Sequence, residues 1–184
     1  MSAEGASDTE PFDYLAGLAG HVRSNRPALP SHEEIKATWS GIGFSLLQQR
    51  LLAPLGEVVE MLPVPPATRL PGVQPWVIGL ANFRGRLIPL FDLESFFGGK
   101  LGANRSRHRV LVLEMGELYA GLVVSDVFGL QHFPQDLEIG QLPEGSQVLA
   151  PYSQGAYRIN DLVWTTFSPF GLVRDPRFFN AAAA

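Results

Sequence analysis

From Phe12 the apolar residues Phe12, Leu15, Leu18, Ala19 and Val22 recur at helical spacing, which predicts an N-terminal helix. Asp8 or Thr9 caps it, and Asn25-Arg26-Pro27 stops it. Gly17 and Gly20 weaken it, so it needs a surface to pack on. Ser31-His32-Glu33-Glu34 has capping-box spacing and predicts a shorter second helix ending near Trp39. At Gly41 the period changes. Ile42, Phe44 and Leu46 alternate with Gly43 and Ser45, the pattern of a half-buried strand.

Strand signals then dominate. Gln48-Gln49-Arg50 predicts a turn into Leu51-Leu52-Ala53, and Val58 to Leu62 predicts another strand. Pro63, Pro65, Pro66, Pro71 and Pro75 force an extended connection. Ile78 to Phe83 and Arg86 to Phe91 meet at Arg84-Gly85, where Gly85 can close a hairpin with a bulge. Leu93 to Phe97 reads as one helical turn ended by Gly98-Gly99, before a loop to Ser106. Arg109 to Met115 is nearly continuous apolar, which predicts burial on both faces. Gly116-Glu117 turns into Leu118 to Val124, and Val127 to Phe133 follows as a strand. Ala156 to Ile159 and Leu162 to Phe167 flank Asn160-Asp161 as a late hairpin, and Ser168-Pro169 starts a helix that ends before Pro176.

Eight to ten short strands with few helices predict a barrel or sandwich. The Gly98 to Ser106 loop separates two strand-rich halves, which suggests two small barrels divided near 98–106. The predicted organisation is an extension over 1–40, a β domain over 41–175 and a tail over 176–184, with Ala181 to Ala184 left out of the fold reasoning.

Composition narrows the function. The 184 residues are 46% hydrophobic and 17% charged, enough for one real core. A net charge of -4 argues against a general nucleic-acid binder. The local basic run Arg105, Arg107, His108 and Arg109 reads as a solvated loop before a strand. There is no cysteine, no apolar run of membrane-spanning length and no signal-peptide pattern in the acidic first ten residues, so a cytoplasmic protein without direct membrane insertion is expected.

Catalytic patterns fail one by one. Gly98-Gly99-Lys100 lacks the Ser or Thr of a phosphate loop, with Leu101 in its place. Gly41-Ile42-Gly43 carries Leu46 where a dinucleotide fingerprint needs its third Gly. No Ser occupies a nucleophile elbow. His21, His32, His108 and His132 lack ligand spacing, and Asp92 and Asp126 read as capping or turn residues. No enzyme, metal or cofactor is expected. Arg84 remains, at a tight turn between apolar strands, where its fork must reach water or a carboxylate such as Glu57 or Glu60. Local chemistry alone favours a turn residue kept in water over a binding residue.

The spacing of several motifs adds a resemblance. Val58-Val59-Glu60-Met61, Leu70-Pro71-Gly72, the run from Trp76 through Gly79-Leu80-Ala81-Asn82-Phe83-Arg84-Gly85 to Pro89 and Asp92-Leu93, and later Arg109 to Leu113 and Gly121 to Val127 resemble the CheW family in order and spacing. The resemblance runs from Gly41 to Val173. It implies a mainly β fold of two packed SH3-like five-stranded barrels, and an adaptor between the cytoplasmic tip of a chemoreceptor and the regulatory domain of a CheA-like histidine kinase. It also implies recruitment to membrane-associated receptor arrays. For this chain it implies a receptor-binding groove at Val58, Gly79, Asn82, Arg84 and Gly85, with Glu60 the ion partner of Arg84. Ser125 departs from the pattern, because many relatives carry Asp there. The N-terminal extension running into Trp39-Ser40-Gly41-Ile42-Gly43-Phe44 is similar to the branch of the family that serves type IV pilus twitching motility. A flagellar-type adaptor and a ligand- or oligonucleotide-binding barrel are the competing readings.

Overall fold

The computed structural model describes residues 38–134, 138–140, 142–143, 145–159 and 161–182, all within the unit Lys36–Ala184. The predicted N-terminal helix, most of the second one and Asn160 lie outside the described residues. Twelve strands and three short α-helices are described, besides three 3-10 turns. The strands are β1 Thr38–Leu46, β2 Gln49–Pro54, β3 Glu60–Pro63, β4 Ala67–Thr68, β5 Val77–Phe83 and β6 Arg86–Asp92, then β7 Arg109–Met115, β8 Leu118–Val124, β9 Asp126–Pro134, β10 Glu138–Ile139, β11 Ala156–Ile159 and β12 Leu162–Thr166. The helices are α1 Leu93–Phe96, α2 Pro169–Val173 and α3 Pro176–Phe179.

The fold is mainly β, with two six-stranded sheets ordered β10-β11-β12-β2-β1-β9 and β3-β7-β8-β6-β5-β4. Their topologies match. Each holds two hairpins joined by a parallel pair, β2 with β12 in the first sheet and β6 with β8 in the second. In each, the two edge strands are consecutive in the chain, so a curled sheet brings its own edges together. The Phe133 ring on edge strand β9 packs at a tilt 5.3 Å from that of Tyr157 on β11, near the opposite edge.

The expected division near 98–106 is therefore wrong. Gly98 to Ser106 joins β6 to β7 inside the second sheet, which is itself inserted between β2 and β9 of the first. Local patterning marks strands and turns, but β2 meets β12 only through pairing across the whole insertion.

Two-sided burial explains the apolar runs. On β7, Leu111 and Leu113 enter a cluster shared by both sheets, while Val110 and Val112 enter a cluster belonging to the second sheet alone. On β2, Leu51 and Ala53 join the shared cluster, and Leu52 faces Phe133, Tyr157 and Trp164 inside the first sheet. Each fully buried Leu of the shared cluster contributes about 2 kcal/mol. Gly43 makes room for an indole, since a Cβ there would stand 2.9 Å from the Trp164 ring.

Three local expectations change. Thr38 and Trp39 belong to β1 rather than to a helix end, and Trp39 stacks 5.6 Å from Tyr157. The β1–β2 turn is Leu47-Gln48, both with positive φ (51° and 61°), where Gly or Asn is the usual choice. Residues 176–182 are no free tail. Phe178 of α3 is buried against Trp76, Phe91 and Phe96, and the Gln74 amide donates to the Ala181 carbonyl at 2.9 Å. The helix expected at Ser168-Pro169 is α2, capped by the Ser168 hydroxyl accepting from the Gly171 amide.

Candidate functional site

The β5–β6 hairpin closes through Arg84 and Gly85 alone, with Phe83 paired to Arg86. Both turn residues have positive φ, 51° and 80°, so this is a two-residue turn of the type whose twist matches the strands. No bulge forms at Gly85, contrary to expectation; the irregularity lies between Val77 and Gly79. Asn82 supports the turn by accepting from the Gly85 amide at 3.0 Å.

Arg84 Nη2 stands 2.6 Å from Glu60 Oε2. Glu60 lies on edge strand β3, while the hairpin belongs to the far end of the same sheet, so the pair spans the seam where the sheet curls shut. The Arg84 side chain is 72% exposed and also lies over the Phe83 ring at 5.2 Å. Phe83 stacks on Tyr119, and Arg86 covers the Tyr119 ring. Glu57, the other expected partner of Arg84, is engaged elsewhere. Its carboxylate accepts from the Ser168 hydroxyl at 2.8 Å and the Phe170 amide at 2.7 Å, at the start of α2.

The remaining groove residues have structural work of their own. Val58 is half-buried and packs on the shared cluster. Gly79 has φ 140°, and a Cβ there would stand 2.1 Å from the Thr68 carbonyl oxygen. Its missing side chain therefore seats β4, whose Thr68 pairs with Leu80. Sequence reasoning missed the exposed apolar residues next to these positions in the chain: Val59 and Met61 precede and follow Glu60 at 53% and 40% exposed, and Leu87 follows Arg86 at 69%. Alternation along β3 carried that signal, because burying Leu62 turns Met61 outward.

Among the described residues the groups weighed for catalysis are occupied; His21 and His32 lie outside them. Asp92 accepts from the Ser95 amide at 2.9 Å as the cap of α1, and burial pushes its carboxyl above the ordinary range. Asp126 pairs with Arg107, while Arg109 donates to the carbonyls of Ser106 and His108. His108 Nε2 bonds the Gly102 carbonyl, and His132 Nδ1 meets the Ser40 hydroxyl. Among the described residues no three His, Asp or Glu side chains group closely enough to hold a metal ion, and no helix is long and apolar enough to cross a membrane.

Comparison with known proteins agrees with this architecture. Residues 40–177 match the family model described as a CheW-like domain. The chain is 42% identical over 172 residues to Protein PilI of Pseudomonas aeruginosa, covering 94% of this chain and 96% of that protein. It is 32% identical over 85 residues to Protein FrzA of Myxococcus xanthus, covering 46% and 53% of the two chains. The scaffolding protein TtCheW from Thermoanaerobacter tengcongensis superposes with a TM-score of 0.65 at 20% identity, covering 77% of this chain and 96% of that one, which supports the fold. The protein belongs to the CheW-like family, the scaffold adaptors of chemosensory systems.

Proposed function

We propose that this protein is a non-enzymatic coupling adaptor. It joins the cytoplasmic tip of a methyl-accepting chemoreceptor to the regulatory domain of a CheA-like histidine kinase, in the chemosensory system that controls type IV pilus twitching motility. The pilus assignment rests on the similarity to PilI along nearly the whole chain. The protein works in the cytoplasm and is recruited to membrane-associated receptor arrays through its partners.

The observation that carries the reading is the Arg84–Glu60 pair, with Arg84 exposed on a two-residue hairpin and exposed apolar residues close to both partners in sequence. An exposed ion pair contributes only about 0–1 kcal/mol to folding. An exposed cation held at a fixed position, with exposed Val59, Met61 and Leu87 close to it or its partner in sequence, is better suited to recognition. An amphipathic helical hairpin lays apolar side chains on such a surface, and the guanidinium sets its register through a carboxylate or backbone carbonyl. Val58, Gly79, Asn82 and Gly85 shape and hold this receptor-binding groove.

Replacing Arg84 with Asn keeps a residue that tolerates positive φ and removes the cation. Binding to a receptor-tip helical hairpin, followed by calorimetry, should weaken about tenfold or more, the loss of roughly 1.4 kcal/mol. Urea unfolding should shift by no more than about 1 kcal/mol. Unchanged receptor affinity would remove Arg84 from the interface.

A further inference from the structure

A second carboxylate sits at the meeting of the two sheets, and the adaptor reading does not use it. Glu94 on α1 is only 4% exposed. Its Oε2 accepts from the Leu47 amide at 2.9 Å, and its Oε1 accepts from the Ser125 hydroxyl at 3.0 Å. Ser125 Oγ in turn accepts from the Gly102 amide at 3.0 Å. One side chain thus ties the β1–β2 turn of the first sheet to α1, the β8–β9 junction and the Gly98 to Ser106 loop of the second.

Two further features bear on how firmly this tie holds. The turn it grips, Leu47-Gln48, places two ordinary L-residues in the left-handed conformation, which is costly. Gly99 lies against the tie so closely that a Cβ would stand 2.6 Å from Leu47 Cδ2 and 3.1 Å from Glu94 Oε2. The ion pairs among the described residues are Arg84–Glu60, Arg107–Asp126 and Arg177–Asp175, so none neutralises Glu94. A buried carboxylate with only neutral donors is under-solvated. Glu94 itself lines a cavity of about 340 Å³ that is open to solvent, together with Leu47, Gln48, Gly99, Lys100 and Ser125 among others.

We propose that Glu94 is a proton-linked latch between the two sheets: closed and tight when protonated, locally labile when ionised. In the open state the Leu47-Gln48 turn lifts, and water from the cavity solvates the carboxylate. In the closed state a proton from solvent forms an O–H bond on Oε1, and the Glu94–Ser125 hydrogen bond reverses. Glu94 then donates to Ser125 Oγ, and the serine hydroxyl proton swings toward the cavity. In the closed state the Leu47 amide keeps Oε2 as its acceptor, and it loses that acceptor only on opening.

Other charged groups modulate the latch without replacing it. Burial pushes the Glu94 carboxyl up; the Leu47 amide and the Ser125 hydroxyl hold it down; neighbouring Asp92 raises it and His108 lowers it. Lys100 lines the cavity, and Asp126, next to Ser125, is paired with Arg107. The turn contributes no charge, and Arg50 beyond it lies over Phe128 and Trp164. A carboxyl whose proton affinity is higher closed than open favours closure as pH falls.

Amide hydrogen exchange on the full chain, corrected for intrinsic rates, tests this. Protection of the Leu47 amide should rise as pH falls, by at most about tenfold per pH unit between the open-state and closed-state pKa values. Glu94→Gln should hold Leu47 at high protection without pH dependence, and Glu94→Ala should leave it weakly protected at every pH. Ser125→Asp, which sets a second carboxylate against Oε1, should lower protection at neutral pH, and adding Glu94→Gln should restore it. Equal, pH-independent protection in the unaltered chain and Glu94→Gln would overturn the latch. So would full protection in Glu94→Ala with an unchanged circular dichroism spectrum.

Discussion

Replacing Gly79 with Ala separates a structural role from a binding role within the proposed groove. Gly79 has φ 140°, a conformation that costs an L-residue about 1–3 kcal/mol. The new Cβ would stand 2.1 Å from the Thr68 carbonyl oxygen and 2.7 Å from its carbon, both backbone atoms that no rotamer change can move aside. β4 must therefore withdraw from β5. It is held there by two residue pairs, Ala67 with Ala81 and Thr68 with Leu80, and each hydrogen bond lost costs about 1 kcal/mol. Partial relaxation of strain accompanies withdrawal, so the expected loss is about 2–4 kcal/mol. Urea unfolding of the full chain measures it, and exchange at the strand amides of β4 and β5 should accelerate. A change below about 0.5 kcal/mol would refute the reasoning, because that is the range of an inconsequential surface substitution. If stability is retained while receptor binding falls, Gly79 is a contact residue and not the seat of β4.

Two further outcomes follow from the core and from the C-terminal cluster. Leu111→Ala, in the cluster shared by both sheets, should cost about 2–5 kcal/mol in denaturant unfolding, whereas exposed Val59→Ala should stay within about 0.5 kcal/mol. The Arg177 guanidinium and the Tyr152 hydroxyl hold the Asp175 carboxyl well below the usual carboxylate range. A depressed folded-state pKa gives stability that is present above the ordinary carboxylate pKa and lost as pH falls through the folded value. Thermal melting between about pH 5 and pH 2 should therefore fall more steeply in the unaltered chain than in Asp175→Asn.

Much of the local structure was legible because it depends on neighbours in sequence. Arg109 to Met115 and Leu118 to Val124 are read with their observed bounds, since apolar runs flanking Gly116-Glu117 leave little choice. The Ser168 cap, the Gly98 stop and the hairpin at Arg84-Gly85 are also short-range chemistry. The candidate site was legible in part: the choice between Glu57 and Glu60 as partner of Arg84 was not. Both carboxylates lie just ahead of or within the same strand, and only the docking of α2 engages Glu57 and leaves Glu60 to the hairpin.

Sequence alone determined the alternation, the position of the Arg84-Gly85 hairpin and the membership of a mainly β adaptor family. Each is written in residues within a few positions of one another or at a fixed spacing. Tertiary structure decided the nesting of one sheet inside the other, the parallel pairs β2–β12 and β6–β8, and the docking of residues 176–182 on Trp76 and Phe91. It also decided that Glu94, an ordinary acidic residue in a helical turn, is buried between Leu47 and Ser125. These depend on which apolar faces meet across more than a hundred residues of chain, as β2 meets β12 where Arg50 pairs with Trp164, and local pattern carries no information about that choice.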